Sequence, residues 1–132
     1  MSSAPTTEHP AAVSMREVPE AVARGDIQAA MEKFPEDVIW YAPAGESVYR
    51  GHDGLARFFG HLDERSNGTW RPEIEEVLGS DRHVVVFLRI TAERDDERLD
   101  VLVAHFATVG PGGFTRNWFL PSDLGAWKRF FG

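Results

Sequence analysis

The run TWRPEIEEVL, residues 69–78, decides the fold class of this chain, because the hydrophobic period changes there from helical to two. Alternation predicts a strand with Trp70 and Leu78 on one face and Val77 on the other. Three further β-type runs follow, joined by short turns, at residues 84–90, 99–109 and 114–120. Consecutive strands joined in this way must be antiparallel, so the second half of the chain predicts a meander.

Helical spacing precedes these strands. Apolar residues recur at i, i+3, i+4 and i+7 from Ile27 to Phe34 and again from Leu55 to Leu62. A short β-type run, DVIWYA, stands between them at residues 37–42. Helices followed by a meander are typical of an α+β domain, which we expect over residues 13–132, and residues 1–12 read as a disordered tail.

The composition of the chain argues against several classes of function. The chain has 132 residues, the size of one domain, and a formal net charge of -7 with no basic run, which argues against a nucleic-acid partner. It has no cysteine, which excludes a thiol nucleophile and a thiolate metal site. No run approaches the roughly 20 apolar residues that span a bilayer, so we expect a cytoplasmic protein without a membrane partner.

Several short motifs are familiar in this order: ARGD (23–26), DVIWYAPAG (37–45), YRGHDGLARFF (49–59), TAERDDERLDV (91–101) and NWFLPSD (117–123). Each is weak alone, but together the chain resembles the SnoaL-like branch of the nuclear-transport-factor-2-like superfamily from about residue 15 to its end. The resemblance implies a cone-shaped, curved, mixed or antiparallel sheet of about six strands wrapped on N-terminal helices around a single pocket. The superfamily holds ketosteroid isomerases, polyketide cyclases, epoxide hydrolases and dehydratases, and also non-catalytic binding proteins, so fold alone does not give function.

His105 is the first candidate for chemistry. It shares its strand face with Leu99, Val101, Val103 and Ala107, so it should point at the core or the pocket. A core histidine bonded to its neighbours is one interpretation. An acid/base group or oxyanion donor is the other, and the resemblance favours it because SnoaL-like cyclases carry a histidine at about this position.

Asn117 is the second candidate. If Val109 pairs with Gly113 across the loop 110–112, His105 lies directly opposite Asn117, on the same face of the sheet. Asn117 could then hold one tautomer of the imidazole or donate to a carbonyl oxygen, although a purely structural role is equally compatible with the sequence. It cannot act as a base.

Ala42 stands where the resemblance to isomerases would place a catalytic aspartate. The run WYAPAG resembles the isomerase segment in which an aspartate base precedes proline, and this chain has alanine there, so steroid-type isomerisation by that route is disfavoured. Strand parity places Trp40 beside Ala42, facing the pocket as an apolar wall or as core. Further wall or rim residues are expected at Tyr41, Tyr49, Phe58, Trp70 and Trp118.

Epoxide hydrolase chemistry is disfavoured as well, because Arg89 has no aspartate two residues away; we expect it to pair with Glu73, Glu75 or Glu76. No cofactor fingerprint and no metal-ligand set is present. The sequence therefore favours a cofactor-independent isomerase, cyclase or dehydratase (lyase) acting on an apolar, carbonyl-containing, polyketide- or steroid-like molecule. A non-catalytic binding or accessory module is the alternative, and the outer sheet face is expected to form a homodimer.

Overall fold

A computed structural model describes residues 8–43 and 47–132. Its helices are α1 (Pro10–Ala23), α2 (Ile27–Met31), α3 (Gly51–Arg65) and α4 (Leu124–Phe131). Its strands are β1 (Ile39–Tyr41), β2 (Val48–Arg50), β3 (Arg71–Gly79), β4 (His83–Arg94), β5 (Glu97–Gly110) and β6 (Gly113–Pro121).

The six strands form one curved sheet in the order β2-β1-β6-β5-β4-β3. All neighbours are antiparallel except β1 and β6, which run parallel, with Trp40 beside Asn117. The predicted α+β class and curved sheet of about six strands are thus confirmed, and the parallel β1–β6 pair makes the sheet mixed. Helices α1, α3 and α4 supply apolar side chains to the core against the inner sheet face, including Met15, Leu55 and Phe131.

The register of the β5–β6 hairpin differs from the prediction. The turn is one residue tighter, because Gly110 pairs with Gly113, and a bulge falls between the Val109–Phe114 and Thr108–Arg116 pairs. Gly113 has φ +122°, and an added Cβ would lie 2.1 Å from the Lys33 carbonyl oxygen, so this close approach requires glycine. Together the tighter turn and the bulge displace the pairing of residues 116–121 by two, so His105 and Asn117 keep their shared face. Phe114, before the bulge, is displaced by only one residue and is buried in the core.

Two other predictions need correction. Helix α1 begins at Pro10, and Ala11 and Ala12 are buried, so the predicted tail is too long; residues 1–7 lie outside the described residues. In β3 a bulge between Ile74 and Glu76 changes the alternation. Val77 is therefore buried and Leu78 exposed, the reverse of the prediction from simple alternation.

No helix in the described ranges has the length and apolar character needed to cross a bilayer.

Arg89 forms a salt bridge with Glu75, one of its predicted partners, at 3.0 Å, and a second one with Asp100 at 2.7 Å. The end of the DVIWYAPAG motif, Ala44 and Gly45, lies outside the described residues.

Candidate functional site

His105 lies on the inner face of β5, only 2% exposed, with its Nε2 atom 2.9 Å from Oδ1 of Asn117. Because of the changed register, Asn117 lies opposite Ala107 and Phe119 lies opposite His105. The two polar side chains are diagonal neighbours on one face, a separation that long side chains can bridge. The predicted pairing of His105 with Asn117 is therefore present, although the predicted direct opposition is wrong.

The hydrogen bonds of Asn117 fix the tautomer of His105. The Asn117 Nδ2 group donates to the carbonyl oxygens of Phe114, at 3.2 Å, and Ile39, at 3.4 Å. Its Oδ1 therefore faces the imidazole and can only accept, so Nε2 of His105 carries the proton. The lone pair of the neutral ring is left on Nδ1, which has no hydrogen-bond partner within the described part of the chain.

Burial keeps this imidazole neutral. Desolvation lowers the pKa of His105 to about 4, and the hydrogen bond with Asn117 opposes that change only in part. No carboxylate forms an ion pair with the ring in the described residues. At neutral pH the free Nδ1 atom is consequently an acceptor and a base, whereas an oxyanion donor would need a second proton on the ring.

Trp40 packs against the His105 ring with centroids 4.6 Å apart, and its own ring is 1% exposed. Its indole Nε1 is a buried donor with no partner among the described residues. A buried N–H without a partner costs about 1–3 kcal/mol. Trp40 is thus a core residue, which is one of its two predicted roles. It also contacts the candidate base His105 and has an indole N–H without a partner among the described residues.

A cavity of about 20 Å³ reaches the ring of His105. Trp40, Trp70 and His105 are the predicted residues that line it, and the others are Val18, Pro19, Val22, Phe59, Pro72, Leu88 and Phe119. This volume suits about one water molecule. The cavity is too small for a ring-sized molecule in this conformation, because aromatic side chains fill the interior.

Strand parity and helix spacing could have found several of the lining residues that were not predicted. Phe119 shares the face of Asn117, and Phe59 belongs to the apolar face of α3. The contribution of Pro19 and Val22 from α1 carried no comparable signal, because nothing in the sequence aligns α1 with the middle of the sheet.

The remaining predicted wall residues lie elsewhere. Tyr41 and Trp118 stack on each other at 5.1 Å on the outer face of the sheet, because they alternate with Trp40 and Asn117. Phe58 is buried behind Trp40 at 5.1 Å, and the half-buried Tyr49 contacts Phe58 edge-on. Ala42, at the end of β1, donates its N–H to the carbonyl oxygen of Ser47 and does not line the cavity.

Comparison with known proteins decides the family. The SnoaL-like domain family profile matches residues 15–117. The chain belongs to the SnoaL-like domain family. No curated protein gave a match.

Several solved structures are similar over nearly the whole chain. Bal32a, from a soil-derived mobile gene cassette, is 28% identical with a TM-score of 0.85, and the match covers 92% of this chain and 96% of that one. TerC, co-crystallised with polyporic acid, is 21% identical with a TM-score of 0.81, covering 93% and 98%. A proposed SnoaL-like polyketide cyclase from Jannaschia sp. CCS1 is 16% identical with a TM-score of 0.76, covering 96% of each.

Proposed function

We propose that this SnoaL-like chain is a cofactor-independent enzyme of the isomerase, cyclase or dehydratase type acting on an apolar, carbonyl-containing small molecule. The observation that supports it is the buried His105–Asn117 pair at the end of an aromatic cavity. Family membership and the similarity to proposed polyketide cyclases agree with this class of activity. The particular reaction and substrate are part of the proposal.

In the proposed reaction His105 is the base. Its Nδ1 takes a proton from the carbon next to the carbonyl, the C–H electron pair forms the enolate, and the proton is returned to the same or another carbon. A base with a pKa near 4 suffices for such chemistry when the enolate oxygen is stabilised, as carboxylate bases with a pKa of about 4.6 show. Asn117 is a positioning residue, because all its bonds are to protein groups.

The donor for the enolate oxygen cannot be Asn117 in the proposed reaction, since its Nδ2 is engaged by two carbonyls. The Trp40 indole N–H is an unused buried donor beside the base. We assign it the oxyanion role, which fixed donors in a dry site perform well. Substrate binding must part the side chains around the cavity, because a ring-sized molecule is far larger than about 20 Å³.

Hydrogen–deuterium exchange tests the proposal without knowledge of the substrate. A panel of planar aryl ketones that carry hydrogens on the carbon next to the carbonyl is incubated with the protein in D₂O and followed by NMR. We expect exchange at the carbon next to the carbonyl in the wild type and its loss in His105→Gln. The matched control is His83→Gln, on the outer face of β4, which should exchange like the wild type. Equal exchange in wild type and His105→Gln would overturn the proposal.

A non-catalytic binding module is the second candidate. The absence of a carboxylate at Ala42 and anywhere between Phe114 and Leu120 favours it. Binding of the same panel without exchange, in both wild type and His105→Gln, is the result it predicts.

We also propose that the chain forms a homodimer through the outer sheet face. An aromatic row crosses four strands there: His83 stacks on Phe106 at 5.5 Å, Phe106 contacts Trp118 at 5.3 Å, and Trp118 stacks on Tyr41. The exposed Leu120, 52% accessible, extends the row. A contiguous apolar surface of this kind favours association.

A further inference from the structure

An open groove of about 550 Å³ lies beside the cavity of His105. It is bordered by the end of α1, the segment that leads into α2, the middle of α3 and the start of β3. Val22, Phe59 and Trp70 line both the groove and the cavity. These three side chains therefore form the wall between the groove and the cavity.

We propose that this groove is the entrance to the site and that it binds a carboxylate carried by the ligand, while the apolar carbonyl end reaches His105. The proposal rests on the proposed function and adds a substrate class: a planar, carbonyl-containing molecule with an anionic substituent at the opposite end.

The charges of the groove favour an anion. Arg24 and Arg71 line it together with one carboxylate, Asp63, so the local balance is positive in a chain whose formal net charge is -7. Neither arginine forms an ion pair in the described part of the chain. The Nη1 atom of Arg71 donates to the carbonyl oxygens of Gly68 and Trp70, at 2.9 and 2.7 Å, which fixes the guanidinium beside the groove. A guanidinium fixed in this way can bind a carboxylate with its other N–H groups.

Gly60 gives an independent reason to assign the groove to a ligand. It lies inside α3, where glycine destabilises a helix, and a Cβ built on it would meet nothing within 4 Å. Gly54 in the same helix is different, because a Cβ there would lie 3.0 Å from the backbone of Tyr49. Packing explains Gly54 but not Gly60, whose missing side chain leaves the groove open.

The passage from groove to cavity is closed by two stacked rings. Phe59 and Trp70 are 6.1 Å apart with an interplanar angle of 10°. A flat ring that enters from the groove would replace one of these contacts with an equivalent stack on the same faces. This arrangement favours planar ligands.

The test compares two probes of nearly equal size, para-acetylbenzoate and its methyl ester, by titration calorimetry and by the NMR signals of His105. We expect the acid to bind about tenfold tighter than the ester, and Arg24→Gln to reduce that ratio about threefold, as for an exposed charge pair. Gly60→Leu, which keeps a good helix former, should weaken both probes at least tenfold. Arg57→Gln, exposed on α3 outside the groove, is the matched control and should change neither.

The outcomes separate the two proposals. If the ester shifts the His105 signals but acid and ester bind equally in every variant, the carboxylate site is wrong and the proposed function stands. If Gly60→Leu binds both probes like the wild type, the groove is not the entrance. If neither probe reaches His105 in the wild type, both the proposed function and this inference fail.

Discussion

Two neighbours on β5, His105 and Phe106, meet opposite environments. His105 is sealed on the inner face between Trp40 and Phe119, while Phe106 is half-buried on the outer face in the row with Trp118. Alternation along the strand produces this difference, because successive side chains point to opposite faces. This difference is the reason why we propose chemistry on the inner face and association through the outer face.

Substitutions on the inner face of the sheet should change stability strongly, because this face has few polar atoms and little free space. Among residues 8–43 and 47–132 the His105 side chain has a single hydrogen bond, and that bond depends on the orientation of Asn117. On the outer face water can replace a lost partner. Changes of similar size should therefore have much larger effects inside than outside.

The largest effect is expected for Asn117→Ala. Removal of the amide leaves the Nε2–H of His105 and the Phe114 carbonyl without this partner, which should lower the free energy of unfolding by about 4 kcal/mol. Urea denaturation measures it. The control is Arg116→Ala, the exposed neighbour on the opposite face, for which we expect less than about 0.5 kcal/mol. A loss below about 1 kcal/mol for Asn117→Ala would show that the pair contributes little.

The pH dependence of stability should reveal the lowered pKa of His105. The unfolded histidine binds a proton near pH 6.5 and the folded one near pH 4, so its contribution is complete above 6.5 and is lost as the pH falls towards 4. We expect wild type to lose about 3 kcal/mol more than His105→Gln across this range. Urea denaturation at several pH values measures the difference, and parallel curves for the two proteins would contradict the burial.

On the outer face, Leu120→Glu should weaken the proposed homodimer without unfolding the chain. A charge placed in an apolar interface should raise the dissociation constant at least about tenfold. Light scattering at several concentrations measures it. Val13→Glu, an equally exposed apolar position on α1, is the control and should leave the dimer unchanged. A wild-type chain that stays monomeric at high concentration would refute the dimer.

The smallest effect is expected for Gly60→Ala. Replacement of a helical glycine that meets no neighbour should stabilise the chain by about 0.5–1 kcal/mol. Thermal denaturation measures it. A lower melting temperature would mean that the glycine serves packing, and its contrast with Gly54 would disappear.

The α+β class and the shared face of His105 and Asn117 could be predicted from hydrophobic period and strand parity. The curved sheet of about six strands was predicted from the family resemblance. The register could not be predicted, since a one-residue bulge near Thr115 has no local signal. His105 and Asn117 still share a face only because the tighter turn and the bulge each displace the β5–β6 register by one residue in the same direction. The bulge in β3 had no such compensation, and Leu78 came out on the wrong face.

The groove could not be predicted either. Arg24, Gly60 and Arg71 come from three separate elements, and only the packing of α1 and α3 against β3 brings them together. The size of the cavity could not be predicted either, because apolar composition does not show whether an interior cavity is open or filled by aromatic rings.

The most direct test of the account is the protonation of His105 itself, measured by ¹⁵N NMR of the labelled protein at neutral pH. We predict a neutral ring with its proton on Nε2 and with Nδ1 giving the shift of an unprotonated nitrogen that moves when a ketone probe is added. A charged ring, or a neutral ring with its proton on Nδ1, would contradict the base that the whole proposal requires.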